Sequence, residues 1–443
     1  MGVPHTGSLP SAGAPEVMGR VVHIAGVLAV RAVRLGWAMA VAVVTRRSVA
    51  ARFDAWLVVT ITELGPAFVK VAQMLSTRAD LVPPRICRAL SGLYDDVRPI
   101  PRDALVPVLE RRFGRDTAVA VAARGAVAAG SIACVYRIEM PDGRDAAVKV
   151  RRPGIERVLR TDLAILRGMS RLIARLRPFR GVPVVEIVEQ LTESVYGQLD
   201  LSKERENLDD FQRNLAAIKG VRVPRVYRDL CTEDMVVMEF VDSLRRYRPA
   251  ELPEDIRTRA VLSALHGIYQ MLFHDGLVHC DLHPGNLYLC PDGTVVVLDA
   301  GFCVRLRPDA QDKFASFFHQ MSAGRGDLCA EVVLSTAAVG RDTDVDGFRE
   351  ELRALVEAST GVSAGAFDLV HFAARLFDIQ RRYGLYADPQ FVFPILSLLV
   401  LEGTVRDFAP DIDFQAEAVP FLIQGTLERA IRGWQATLAN ENS

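Results

Sequence analysis

A chain of 443 residues, half of them hydrophobic and 24% charged, can bury a core along most of its length, which excludes a largely disordered protein. The formal net charge of −1 gives no bulk attraction to a phosphate backbone, so nucleic acid is not an expected partner. The seven cysteines (87, 134, 231, 280, 290, 303 and 329) are odd in number and form no C-x-x-C pair; neither a disulfide framework nor a zinc site is expected, and a reducing, cytoplasmic setting fits.

Residues 1–16, rich in Gly, Pro, Ser and Ala, read as a disordered tail. From 17 to about 112 the pattern is helical, with breaks near Gly65-Pro66, Pro83-Pro84 and 99–101. The apolar run 21–44 is interrupted by Arg31 and Arg34, so no membrane span is expected, and it lacks the cleavage site of a signal peptide. With its arginines and Trp37 it reads either as a helix lying along a membrane surface or as one packed on the protein. The segment 391–401 is too short to span.

After Gly114 the pattern changes. Two β-prone segments, 131–140 and 146–150, flank the turn Pro141-Asp142-Gly143 and predict a hairpin. Helical periodicity returns over 155–176 and 185–218, and 224–227 and 235–241 read as strands. From 253 onward helices dominate, apart from a hairpin in which 287–289 and 294–298 flank Pro291-Asp292-Gly293. The order predicts an α+β, two-lobed, protein-kinase-like fold. Residues 17–113 form a helical N-terminal extension, 114–241 a small β-rich N-lobe and 242–443 a helical C-lobe.

The strongest chemical signal is His279-Cys280-Asp281-Leu282-His283-Pro284-Gly285-Asn286, followed across the hairpin by Leu298-Asp299-Ala300-Gly301. Phosphoryl transfer needs a carboxylate near the attacking group and oxygen ligands that hold Mg²⁺ against the phosphates. Asp281 and Asn286 have kinase catalytic-loop spacing, and Asp299 ends a buried strand where it can ligate metal beside Asn286. Turn capping alone is the bland alternative, but two such motifs joined by a hairpin disfavour it.

Lys149, in Ala147-Val148-Lys149-Val150, needs a carboxylate or a phosphate if buried; an exposed edge-strand lysine is the alternative. Glu204, in the helical segment after 185, is the chosen partner. One hairpin earlier, Ala128-Ala129-Gly130-Ser131 stands where a kinase carries its phosphate-covering loop; an Ala-rich helix is the competing reading. The segment 68–83 reads from spacing only as an amphipathic helix with Lys70 and Gln73 on adjacent turns.

Together these segments resemble the UbiB/AarF-like (ADCK-type) atypical kinase family over roughly 58–419. Its K-x-G-Q motif appears as Lys70-Val71-Ala72-Gln73 and its S-T-R-x-D-L-x-P run as 76–83. V-K-V-x-R-P-G-I appears as Val148-Lys149-Val150-Arg151-Arg152-Pro153-Gly154-Ile155, and the segment around E-x-D as 198–207. H-x-D-x-H-P-G-N and D-F-G correspond to 279–286 and 299–301. The resemblance implies an ATP- and Mg²⁺-using kinase or ATPase whose extension folds over the active site. Asp281, Lys149 and Glu204 would be catalytic, and Asn286 and Asp299 metal ligands. Ala128, Ala129, Gly130, Ser131, Lys149, Glu239, Lys70, Gln73 and Asp200 would bind nucleotide, with Lys70 approaching Asp200 and Lys149 pairing with Glu204. It also implies a lipid or isoprenoid-quinone precursor as partner and peripheral membrane contact.

Four departures stand out. Ala72 replaces the K-x-G-Q glycine, Gln198 the first carboxylate of E-x-D, Ala300 the D-F-G phenylalanine, and Gly130 the last loop alanine. Two other readings remain at this point. One is a small-molecule kinase of the aminoglycoside or choline type, and the other a pseudokinase that uses nucleotide as a switch.

Overall fold

The computed structural model describes residues 14–44, 48–77, 82, 84–90, 93, 98–176, 184–242, 244, 247–280, 287–339, 343–359 and 368–441. In chain order it begins with six helices: α1 (Ala14–Val44), α2 (Val49–Leu64), α3 (Pro66–Thr77), α4 (Pro84–Leu90), α5 (Arg102–Phe113) and α6 (Arg115–Arg124). Then come β1 (Ala128–Ala129), β2 (Ala133–Glu139), β3 (Asp145–Arg151), α7 (Ile155–Ile173), α8 (Val184–Gly197), α9 (Leu201–Asn214), β4 (Val221–Arg222) and β5 (Met235–Glu239). The remainder holds α10 (Glu254–Tyr269), β6 (Leu277–His279), β7 (Leu287–Leu289), β8 (Val295–Val297), β9 (Cys303–Arg305), α11 (Pro308–Ser322) and α12 (Gly326–Thr336). It ends with β10 (Ala337–Ala338), α13 (Val345–Ser359), α14 (Leu369–Arg382), β11 (Tyr386–Ala387), α15 (Pro389–Phe408) and α16 (Phe414–Glu441). The fold is α+β and divides into two compact units: Met1–Leu201 with Asp229–Val237, and Ser202–Arg228 with Met238–Ser443.

In the first unit, β1, β2, β3 and β5 form a sheet in that order. The β2–β3 hairpin closes as its turn chemistry requires: Gly143 takes φ 80°, and the Arg144 N–H donates to Asp142 Oδ1 at 3.1 Å. The larger side chains alternate. Cys134, Tyr136, Ile138, Ala146, Val148 and Val150 are buried on one face, while Val135, Arg137 and Lys149 lie on the other, where the small Ala133 and Ala147 are also buried.

The helices before the sheet have an interior that they share with α7. Ile24, Leu64, Phe68 and Ile165 form one cluster, and Ala72, Leu90 and Leu93 another. Gly65, at φ 106°, ends α2, and Pro66 opens α3, as the Gly-Pro break predicts. Arg20 fixes α1 to α7 through Asp162, at 2.6 and 2.9 Å.

The second unit is mostly helical, and its described residues form three short ladders, β4–β8–β7, β6–β9 and β10–β11. β4 runs parallel to β8, and the other pairings are antiparallel. Its core centres on Tyr269 and Phe273, which pack against α11 and α16 through Phe314, Phe318 and Phe414.

Several expectations are corrected. Of the expected tail, residues 1–13 lie outside the described residues, while Ala14–Glu16 already belong to α1. Val17–Met39 is one helix long and apolar enough to cross a membrane by length and composition, although Arg20, Arg31 and Arg34 fall within it. The continuous helix over 185–218 is two helices. Gly197 ends α8, a turn over 198–200 follows, and α9 stops at Asn214 before Gly220 at φ 75°. The strand expected at 224–227 reduces to a bridge between Val226 and Met238, since Pro224 has no N–H to add to a ladder. The three-residue strands β6 and β9 were not expected, being too short to show a periodicity.

Candidate active site

The first unit carries the phosphate-loop candidates on its sheet. Ala128 pairs with Val135, and Val135 with Lys149, so these three residues line up across β1, β2 and β3 on the half-exposed face. Ala128 and Ala129 are strand rather than helix, and Gly130 and Ser131 make the turn into β2. The Gly130 N–H donates to Ala133 O at 2.9 Å, which keeps that turn tight.

Two arginines hold the surrounding backbone. Arg152 Nε donates to Gly130 O at 2.8 Å, and the Arg152 N–H donates to Ile132 O at 2.9 Å. Arg151 Nη1 donates to Leu199 O at 2.9 Å, fastening the turn that contains Gln198 and Asp200 to the end of the Lys149 strand. Neither arginine was assigned a role from sequence. The signal available was their place in the V-K-V-x-R-P-G-I run.

Lys70 and Gln73 both lie on α3, which packs against α7 and α8. Gln73 Nε2 donates to Leu93 O at 3.0 Å, so this glutamine secures the helical segment itself. The methyl of Ala72 is buried against Leu90 and Leu93. Gln198 Nε2 is buried without an acceptor among the described residues, an unused donor where the family pattern has a carboxylate.

In the second unit the residues of α9, β6 and the Asp299 segment converge. Glu204, on α9, is buried, and Asp299 is half-buried in the loop two residues past the end of β8. A Cβ placed on Gly301 would lie 3.1 Å from Asp299 Oδ1 and 3.5 Å from Glu204 Oε2. Glycine therefore keeps a small gap between two carboxylates. Carboxylate oxygens are hard ligands of the kind that suit Mg²⁺.

Three further contacts hold this junction. The Gly301 N–H donates to Asp299 Oδ1 at 3.0 Å, and Asn207 Nδ2 donates to Ala300 O at 3.0 Å. His279 is buried, with Nε2 against Asp299 O and its ring beside Phe211 of α9. The β6–β9 ladder then pairs His279 with Cys303, and the Cys280 N–H donates to Phe302 O at 3.0 Å. From α15, Ser397 Oγ donates to His279 O at 2.7 Å. Asn207, Phe211 and Ser397 escaped the sequence reading as site residues.

Ala300 is fully buried, so the D-F-G phenylalanine position is filled by a methyl inside the core. Phe302, two residues on, packs edge-to-face with Phe393 of α15 at 5.0 Å. Glu239, counted with the nucleotide set, has its carboxylate held by Arg222 at 2.5 Å and by the Arg225 N–H at 3.3 Å. Asp281 and Asn286 lie outside the described residues.

A model of the ABC1 atypical kinase-like domain matches residues 92–333, more than half of the chain. The chain belongs to the ABC1 atypical kinase-like family. It is 31% identical to the "Probable protein kinase UbiB" of Azotobacter vinelandii, over 81% of this chain and 69% of that protein. Against the protein of the same name from Pseudomonas aeruginosa it is 30% identical, over 87% of this chain and 74% of the relative. The solved structure of an Rv3197–erythromycin complex from Mycobacterium tuberculosis is similar over 79% of this chain and 93% of its own, at 21% identity and a TM-score of 0.47. The ABC1 match and the UbiB relatives support a kinase-type transferase. Within the ABC1 domain fall the alanine-rich loop, Lys149, Glu204 and Asp299; Lys70 and Gln73 precede it.

Proposed function

We propose that this ABC1-family chain binds Mg²⁺–ATP and acts as an atypical kinase or ATPase in isoprenoid-quinone or membrane-lipid metabolism. The observation that carries the chemistry is the Gly301 junction, where Glu204 and Asp299 flank one small gap and Asn207 and His279 hold its backbone. Asp299 and Asn286 would hold Mg²⁺, and bound metal would neutralise charge on the phosphates. Asp281 would orient the attacking group, Lys149 would meet the phosphates with Glu204 as its partner, and the 128–131 turn would cover them. Glu239, Lys70, Gln73 and Asp200 complete the proposed nucleotide set. Residues 17–113, 114–241 and 242–443 are the corresponding extension, N-lobe and C-lobe.

The UbiB name of the relatives supports the quinone assignment. Peripheral membrane attachment is supported by α1, whose residues Met18, Val22, Val33 and Trp37 are exposed on an apolar helix. Arg20 and Arg31 are engaged by Asp162 and Glu63, which favours a helix docked along the surface over one that inserts.

The test is steady-state ATP hydrolysis by the full chain with Mg²⁺ and lipid vesicles. Asp299→Asn should lower turnover at least about a hundredfold, the scale of losing a metal ligand. Unchanged turnover overturns the metal assignment. The buried Ala300 and the orphaned Gln198 amide favour a second reading, a nucleotide-responsive pseudokinase. It predicts that ATP raises Tm while wild type and Asp299→Asn alike show no turnover.

A further inference from the structure

Within the second unit, α11, α12, α14 and α15 line an open pocket whose free space, solvent at its mouth included, is about 630 Å³. Its walls are aromatic and aliphatic, with Phe314, Phe317, Phe372, Phe377, Val392 and Ile395 among them. Among the described residues no charged side chain lines it, and only Gln380 and Thr336 contribute polar ones. Thr336 Oγ1 already donates to Val333 O at 2.9 Å. Gln380 is different: it is 3% exposed, and its Oε1 is buried without a hydrogen-bond donor among the described residues.

An unpaired amide oxygen inside an apolar wall is costly, and native proteins keep such a group where something satisfies it. One water would find few polar partners in such a lining. Mostly apolar linings with one or two placed polar groups are the usual form of a small-molecule pocket. We propose that this cavity is a binding site for a neutral, apolar molecule that carries one hydrogen-bond donor, a hydroxyl or an N–H, directed at Gln380 Oε1. The lack of charged lining excludes a phosphate or carboxylate ligand, so nucleotide does not belong here. The site also has a notable neighbour. Phe391, Val392 and Ile395 line it from α15, while Phe393 and Ser397 of the same helix hold Phe302 and the His279 carbonyl.

The probes are toluene and benzyl alcohol, which differ by the donor, titrated into the full chain by calorimetry and checked by the rise in Tm. Both should bind the wild type saturably. Gln380→Leu should lower the ratio of benzyl alcohol to toluene affinity roughly tenfold while leaving toluene bound. Should that variant misfold, Gln380→Met serves, since it keeps the volume and removes the amide. Ala373→Phe fills the cavity and should abolish binding of both probes, with Ala373→Val as the milder substitute. Absence of saturable binding to the wild type overturns the proposal. So does an unchanged affinity ratio after Gln380 is replaced, or unchanged binding once the cavity is filled. Because no arm uses ATP, failure here is distinguishable from failure of the kinase reading.

Discussion

The helices α1 and α15 are both long and largely apolar, yet they serve opposite ends. In α15, Val392, Phe393, Leu398, Leu401 and Val405 are all buried, and the helix is part of the core of its unit. In α1 only Ile24 is itself buried among the described residues, with Val17, Val27 and Leu28 part-buried beside its cluster, while Met18, Val22, Val33 and Trp37 stay more than 50% exposed. Each helix is nonetheless fastened through a buried carboxylate. Glu402 of α15 accepts from Arg406 at 2.7 Å and from the Leu369 N–H at 2.9 Å; Arg20 of α1 meets Asp162 at 2.6 Å. Apolar content therefore predicts that a helix will leave water, but not what takes its place. In α15 the protein does so; in α1 most of the apolar face still needs an answer.

The comparison breaks most directly at Leu398. Leu398→Ala removes a fully buried side chain and should cost about 3 kcal/mol in urea unfolding, through lost burial and the cavity left behind. Val33→Ala on α1 should stay within about 0.5 kcal/mol of wild type. Equal costs would mean that the two helices do not differ in burial. Next in size is the α1 anchor. Arg20→Ala leaves Asp162 buried without its arginine and should cost about 2 kcal/mol, discounted because Arg20 is partly exposed. Arg20→Ala with Asp162→Ala should recover part of that loss. An additive double variant would show that the pair does not hold α1.

The same contrast explains what was legible in the sequence. Both hairpins were readable because Pro-Asp-Gly carries its turn chemistry locally: Gly143 and Gly293 take φ 80° and 86°, and each aspartate caps the N–H two residues on. Asp299 could be chosen by its place in the Leu298–Gly301 motif, and Glu204 as the carboxylate that a buried Lys149 would need. The Gln198–Asp200 turn could not, because helical periodicity ran on through it and Arg151 holds that turn from 48 residues away. Ser397 was invisible for the same reason. It supports the His279 carbonyl across 118 residues, and nothing local distinguishes it from other serines in an apolar helix. Long-range packing also decides that α15 is covered and α1 is not.

The anchors differ from ordinary ion pairs in pH dependence. Burial pushes both Asp162 and Glu402 above the usual carboxyl range, against the opposing pull of Arg20 and Arg406. Between the ordinary carboxyl pKa and the raised native value, the folded state binds more protons than the unfolded one. Stability should therefore fall as pH rises through that acidic window, the reverse of a salt bridge that depresses its carboxylate. Glu402→Gln keeps an acceptor for the Leu369 N–H and should flatten the slope. An unchanged slope would assign the pH dependence to other groups. Asp162→Asn should flatten the α1 contribution in the same sense, which separates the two anchors.

The smallest effect on stability is expected on the outer face of α1, and it is the sharpest test of what covers that face. Val33→Ser with Trp37→Ser should change urea stability by no more than about 0.5 kcal/mol, because neither side chain supports the protein's own core. Binding to phospholipid vesicles should nevertheless weaken at least roughly tenfold, since two large apolar side chains would lose their burial at the lipid interface. The Arg20–Asp162 and Arg31–Glu63 pairs remain in this variant, so α1 stays docked and only its outward face is altered. Sedimentation with vesicles reads the difference. If binding is unchanged while stability falls, that face is covered by protein, and α1 is a core helix of the same kind as α15. If stability holds and binding is lost, the membrane supplies for α1 what the surrounding helices supply for α15.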